Sequence, residues 1–211
     1  MPEDMSEILY RSAENLRLAS DELNAMMHSL WNMLAERKVD LGEIEDIGDE
    51  GEIETDWVVT AYAFNAKVLG GPKEDGPQKR GRKKQIGTVT LLVRLCGSGE
   101  IEAGAPDWPW LKRACLIVGW HTGDNRGDWW GVENFEPSSG ADYIRNNGGR
   151  VWTWFEEDEA YASFFVVPVS ALKDDGDLKR HVLEPLKKLF EGGASEDAFP
   201  KDSPVLGVDA A

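Results

Sequence analysis

Cysteine and histidine are scarce in this sequence, with two and three residues respectively in a chain of 211. Cys96 and Cys115 are not spaced as a C-x-x-C pair and lie in apolar runs typical of buried strands, so we expect reduced thiols. The nucleophile elbow, the zinc-protease helix, the P-loop and the dinucleotide-binding fingerprint are all missing. The sequence therefore predicts no catalytic residue, metal site or cofactor, and it disfavours enzymes.

Long hydrophobic runs are also missing. Apolar stretches such as Ala114–Trp120 are far too short to span a bilayer. The chain opens on Met-Pro-Glu-Asp, and no apolar stretch typical of a secretory signal follows. We therefore expect a cytoplasmic protein with no membrane partner.

Basic residues are outnumbered, with 23 Lys and Arg against 39 Asp and Glu, which gives a formal net charge of −16. An acidic chain is repelled by nucleic acid and by anionic membrane surfaces. Hydrophobic residues make up 41% of the chain, enough to bury a core. These properties favour a folded protein that binds another protein.

The N-terminal segment 1–39 is predicted to be one long helix over residues 5–37, because no Gly or Pro interrupts residues 3–41. Leucines recur every seven residues, and Ala19, Met26 and Met33 follow three residues later. That spacing is typical of a heptad seam. The seam either packs within the chain or forms a homodimer. Its leucines are candidates for a protein interface: Leu9, Leu16, Leu23 and Leu30.

Residues 40–56 hold nine acidic residues and no basic residue. Such a block repels itself and is typical of a solvated linker. The alternative is a docking surface for a basic partner. The candidates for acidic docking are Glu43, Glu45, Asp46, Asp49 and Glu50.

Residues 57–193 are predicted to form the folded domain. Alternating apolar segments at 57–69, 86–96, 110–120, 150–156 and 160–169 predict strands, and acids at 174–177 open a helix that Pro185 should kink. The predicted fold class is α+β. An antiparallel sheet of about five strands packs, on one face, against the long N-terminal helix and a shorter C-terminal helix. We expect residues 194–211 to be a flexible tail.

The long connection 70–86 is rich in Gly, Pro, Lys and Arg, so we expect a mobile basic loop. The loop is either solvated or a contact for phosphate or the minor groove, and it is the one place where we expect nucleic acid to bind. The nucleic-acid candidates are Lys79, Arg80, Arg82, Lys83 and Lys84.

Tryptophan is concentrated between residues 108 and 154. Trp120, and Trp152 or Trp154, alternate within predicted strands and should belong to the core. Trp129 and Trp130 lie in a Gly-rich loop where both cannot easily point inward. Because exposed Trp is a frequent interface anchor, these two are candidates for a protein contact.

His121 ends the predicted central strand and precedes a segment that contains Asp124 and Asp128. Asx side chains in such a segment ordinarily stabilise a turn. The same three residues could instead bind a metal, or the histidine could act as an acid or base. The turn is the better-supported interpretation.

We therefore carry three functional hypotheses forward. The first is a non-enzymatic protein-interaction factor, an acidic accessory or inhibitor protein of the kind that phages and mobile elements encode, with a nucleic-acid-binding protein as one kind of target. The comparison with phage and mobile-element proteins is an analogy. The second is a nucleic-acid-associated accessory protein that uses loop 73–85. The third is a hydrolase or transferase with a site near His121.

Overall fold

The computed structural model describes residues 5–36, 40–50, 54–55, 58–59, 61–70, 84–95, 106–123, 135, 142–146, 149–156 and 158–207. The helices are α1 (Met5–Ala35), α2 (Asp175–Leu178), α3 (Glu184–Phe190) and α4 (Ser195–Ala198). The strands are β1 (Glu43–Glu50), β2 (Glu54–Thr55), β3 (Val58–Val59), β4 (Ala61–Gly70), β5 (Lys84–Arg94), β6 (Cys115–Thr122), β7 (Ile144–Arg145), β8 (Trp152–Glu156) and β9 (Glu159–Pro168).

Seven of these strands form one sheet in the order β1-β4-β5-β6-β9-β8-β7, and every neighbouring pair is antiparallel. The predicted fold class is confirmed, although the sheet has more than five strands. The central strands β5 and β6 are buried on both faces, as their continuous apolar runs predict. The remaining pair, β2 and β3, forms a short separate hairpin.

Both helical regions pack on the same face of the sheet, which we call the helix face. The C-terminal end of α1 contributes Leu30, Met33 and Leu34, all at most 4% exposed. The helical segment from α2 to α3 covers the rest of that face. The strand residues below them alternate along each strand, as a half-buried strand requires: Val68, Val89, Leu91, Val93, Leu116, Val118, Trp120, Phe165 and Val167.

On the opposite face, which we call the aromatic face, the described residues form no long helix. A short 3-10 turn at Pro109–Leu111 places Trp108 and Trp110 there, together with Phe135. They pack on inward residues of the strands, among them Ile117, Phe164 and Trp152. Trp152 of β8 is therefore buried on this face.

The C-terminal helical segment accommodates Pro185 through a change in helix geometry. Asp174 caps α2, because its Oδ1 accepts a hydrogen bond of 2.9 Å from the backbone N–H of Asp177. A π-helical turn, Lys179–Leu183, then separates α2 from α3. Since proline has no N–H, the wider turn lets the helix restart at Glu184. The predicted interruption is confirmed.

The prediction of a linker over residues 40–56 is wrong for the stretch that forms β1. Glu43–Glu50 pairs with β4 as an edge strand, with a register shift between Asp46 and Gly48. Ile44 packs partly on the helix face. Backbone hydrogen bonds and this apolar contact outweigh the repulsion between acids, and a charged edge also discourages further strand pairing.

The predicted flexible tail is also wrong over residues 195–207. Phe199, 6% exposed, packs against Phe165 with ring centroids 5.2 Å apart, and Val205 is 7% exposed. Leu206 forms a backbone bridge to β9, and its N–H donates to the carbonyl of Val166 at 2.8 Å. A few apolar residues spaced through a polar segment are enough to hold it on the core.

Candidate protein interface

Helix α1 is divided into two parts by its environment. At 1.5 Å per residue a helix of 31 residues is about 46 Å long, longer than the sheet face needs. Every residue from 5 to 22 is exposed, whereas Leu30 and Leu34 are 0% and 1% exposed. We call residues 5–22 the exposed segment. Only the C-terminal end of the helix is therefore held by the core.

The exposed segment carries a heptad seam of apolar residues. Leu9 is 63% and Leu16 is 39% exposed. Both share the heptad position of Leu30, which is buried at the other end of the helix. Met5 extends the seam by one position and is 66% exposed. Ser12 and Ala19 alternate with the leucines as small residues. We define the seam as Met5, Leu9, Ser12, Leu16, Ala19, Leu23 and Met26.

Exposed apolar residues are concentrated in this one segment. Among the described residues, eight large hydrophobic side chains are exposed, and six of them lie between residues 5 and 18 of α1. Single exposed leucines are common on protein surfaces, but a contiguous apolar strip marks a site of interaction. The six are Met5, Ile8, Leu9, Tyr10, Leu16 and Leu18, and of these Met5, Leu9 and Leu16 lie on the seam.

The charged side chains of the exposed segment lie away from the seam. Arg11 pairs with Glu7, and Arg17 pairs with Asp21 at 2.9 Å, each one helical turn apart. All four are more than half exposed, so these pairs contribute little to stability. They do keep the charges on the outer face of the helix and leave the seam uncharged.

An open groove of about 810 Å³ adjoins the seam where α1 meets the body of the domain. Ser29 Oγ donates a hydrogen bond of 2.5 Å to Asp175 Oδ1 and joins the two walls at this end. The wall from α1 shares Ala19, Leu23 and Met26 with the seam. The facing wall is mainly apolar and comes from three separate parts of the chain: Leu95, Ala114, Val169, Ser170, Leu172, Lys173, Asp174, Asp175 and Leu178.

The four leucines proposed as interface residues do not share one environment. Leu9 and Leu16 are exposed and remain interface candidates, and Leu23 packs partly on the core at the edge of the groove. Leu30 is fully buried in its own chain, so its assignment as a contact for another chain is wrong. The reason is that Leu30 lies in the C-terminal end of α1, which packs in the core of the helix face.

The acidic docking candidates lie on the edge strand β1. Glu45 is exposed and Glu43 is half-buried, while the side chains of Asp46, Asp49 and Glu50 lie outside the described residues. Their role in docking stays a prediction.

The basic loop is shorter than predicted, since β4 continues to Gly70 and β5 begins at Lys84. Lys84 is an exposed strand residue. Lys79, Arg80, Arg82 and Lys83 lie outside the described residues, so the nucleic-acid hypothesis stays a prediction.

His121 is a buried residue of β6, 6% exposed, paired with Thr88 and 5.8 Å from the ring of Tyr161 between centroids. Asp124 and Asp128 lie outside the described residues, so their approach to this histidine stays a prediction. Within the described ranges, no group of three His, Cys, Asp or Glu side chains could hold a metal ion.

Cys115 is fully buried on the aromatic face. Burial raises the pKa of its thiol to about 12, although the nearby Arg113 and Arg94 act in the opposite direction. The thiol is therefore protonated at neutral pH and a poor nucleophile. Cys96 lies outside the described residues.

The tryptophans divide between the two faces of the sheet. Trp120, 8% exposed, belongs to the helix face, and Trp152, 3% exposed, belongs to the aromatic face. Trp154 stacks on Tyr143 with ring centroids 5.3 Å apart. Trp129 and Trp130 lie outside the described residues, and their role as contacts stays a prediction.

Sequence reasoning missed two features of this site. Met5 lies four residues before Leu9, so the heptad spacing itself could have identified it. The groove was not predictable from any local pattern, because its walls come from distant parts of the chain.

Among the described residues, no helix is long and apolar enough to cross a membrane. In comparisons with protein families, curated proteins and solved structures, nothing matches this chain.

Proposed function

We propose that this chain is a non-enzymatic protein-interaction factor whose binding element is the seam of the exposed segment together with the adjoining groove. The observation that carries the proposal is that three exposed large hydrophobic residues, Met5, Leu9 and Leu16, lie on this one seam. Exposing these side chains to water is unfavourable, so covering them with a protein surface lowers the free energy.

The acidic character of the chain supports an accessory role. With a net charge of −16, the protein attracts basic protein surfaces over long range and speeds their encounter with it. The acids of β1 form an edge that would orient such a partner. We place the protein in the cytoplasm, where the buried thiol of Cys115 stays reduced.

Site-specific photo-crosslinking in the native host tests this proposal. A benzophenone amino acid replaces Leu16 on the seam or, as the matched control, Leu18 on a different face of the same helix, which is 48% exposed. We expect covalent protein adducts at position 16 and several-fold fewer at position 18, because only the seam should be covered. Mass spectrometry then separates adducts with the same chain from adducts with another protein.

Equal labelling at the two positions, or no adduct at position 16, would contradict the proposal. The comparison controls for exposure, because the control position is no less exposed than Leu16.

A further inference from the structure

We infer that the seam binds a second copy of this chain in antiparallel orientation, with the first two turns of each α1 seated in the groove of the other copy. This inference rests on the proposed function and identifies the partner of the same site. Four properties of the exposed segment support it: its side-chain sizes, the place and volume of the groove, its charges and its area.

The seam is complementary to itself when it runs antiparallel. A two-fold axis between Arg17 and Leu18 places Leu16 of one copy against Ala19 of the other. The same axis places Leu23 against Ser12. Leu16 and Leu23 then each meet a small side chain, which fills the layers nearest the axis evenly, while Leu9 meets Met26 further out. Parallel pairing would set the small residues against each other and leave voids that destabilise the contact.

In this antiparallel arrangement the helix of the partner lies at the groove. With the same axis, residues 5–11 of one copy run alongside residues 24–30 of the other, which border the groove. The groove, with a volume of about 810 Å³, is large enough to admit apolar side chains of a neighbouring helix. Met5 and Ile8 would fill it with apolar side chains.

The charges of the exposed segment fit a copy of itself better than a basic ligand. Its ion pairs lie on the outer face, Glu22 is the charged residue of α1 that lines the groove, and the facing wall carries Lys173, Asp174 and Asp175. An antiparallel axis places the uncharged Ala13 and Asn15 of the partner near this glutamate. A partner recognised by its positive charge would find no acidic surface on the seam itself.

The area is sufficient for a stable pair. Burial of a large aliphatic side chain removes on the order of 100 Å² of apolar surface from water. Met5, Ile8, Leu9, Leu16 and Leu23 supply about 500 Å² on each copy, and the groove wall brings the total for two copies to the lower end of the roughly 1,200–2,000 Å² of stable interfaces. The two-fold arrangement closes, so it stops at two copies.

Light scattering coupled to size exclusion, over a micromolar concentration series of the full chain, tests the inference. We expect a mass of about 47 kDa, twice the 23.5 kDa of one chain. The double variant Leu9→Glu/Leu16→Glu places four charges in the interface of a dimer and should raise its dissociation constant by at least about 1,000-fold. The control, Leu18→Glu, adds one such charge to each chain off the seam and should stay dimeric.

Three results would overturn the inference. One is a monomeric wild type at every concentration, another is a double variant that stays dimeric, and the third is a double variant that has lost its thermal unfolding transition. A monomeric wild type with photo-crosslinks to another protein would leave the proposed function standing, with a different partner.

Disulfide trapping tests the orientation, in a Cys96→Ser background. The pair Ser12→Cys/Leu23→Cys should form a covalent dimer when oxidised with diamide, because these positions face each other only in the antiparallel arrangement. Ser12→Cys alone should stay monomeric on a denaturing gel. Equal cross-linking of the single variant would show parallel pairing and overturn the proposed geometry.

Discussion

Replacing Trp110 with alanine is expected to lower the free energy of unfolding by about 3–5 kcal/mol. Trp110 is 0% exposed and lies at the centre of the aromatic face. Its ring contacts Trp108 and Trp152, each with centroids 4.9 Å away, and Phe164 at 5.5 Å. Its Nε1–H donates to the carbonyl of Phe135 at 3.0 Å. Alanine would leave a large cavity and remove the donor for a buried carbonyl.

Urea denaturation followed by far-UV circular dichroism measures this effect. Trp154→Ala is the matched control, since this half-buried side chain stacks on Tyr143, which is 45% exposed, at the rim of the same face. We expect the control to cost less than half as much. Equal losses for the two variants would show that the aromatic face is not organised around Trp110.

Replacing leucine with alanine is expected to lower the free energy of unfolding strongly in the buried end of α1 and hardly at all in the exposed segment. Leu30→Ala should lower the free energy of unfolding by about 2–5 kcal/mol, because Leu30 is 0% exposed and packs in the core of the helix face. Leu18→Ala should change it by no more than about 0.5 kcal/mol, because Leu18 is 48% exposed and lies off the seam. Both sites are leucines in the same helix, so the difference in helix propensity between leucine and alanine is the same at both and cancels in the comparison.

Thermal and urea unfolding of both variants give the comparison. A large loss from Leu18→Ala would mean that the exposed segment is held by its own chain. A small loss from Leu30→Ala would mean that α1 is not anchored on the sheet. Either result would contradict the division of this helix.

The sequence predicts the parts of the fold that local patterns determine. Helix α1 follows from an uninterrupted heptad pattern, and β5 and β6 follow from apolar runs of strand length. The strand β1 was missed because five of its eight residues are acidic, while its pairing with β4 depends on a distant segment. The packing of Phe199 was missed for the same reason, since only tertiary contact reveals it.

The site was predictable in part. The heptad spacing identifies the seam, but it cannot say where the seam stops being core. That boundary depends on how far the sheet extends beneath α1, and it falls between Leu16 and Leu30. The groove depends on the meeting of β5, β6 and the segment before α2, which no local pattern encodes.

Amide hydrogen exchange along α1 is the most direct test of the central claim that a second copy covers the exposed segment. The experiment compares the wild type with Leu9→Glu/Leu16→Glu at the same micromolar concentration. We expect amides in residues 9–22 to be protected in the wild type and to exchange rapidly in the variant, because a projecting helix without a partner opens readily. Amides around Leu30 and Leu34 should exchange equally slowly in both. Equal protection of residues 9–22 in the two proteins would contradict the account.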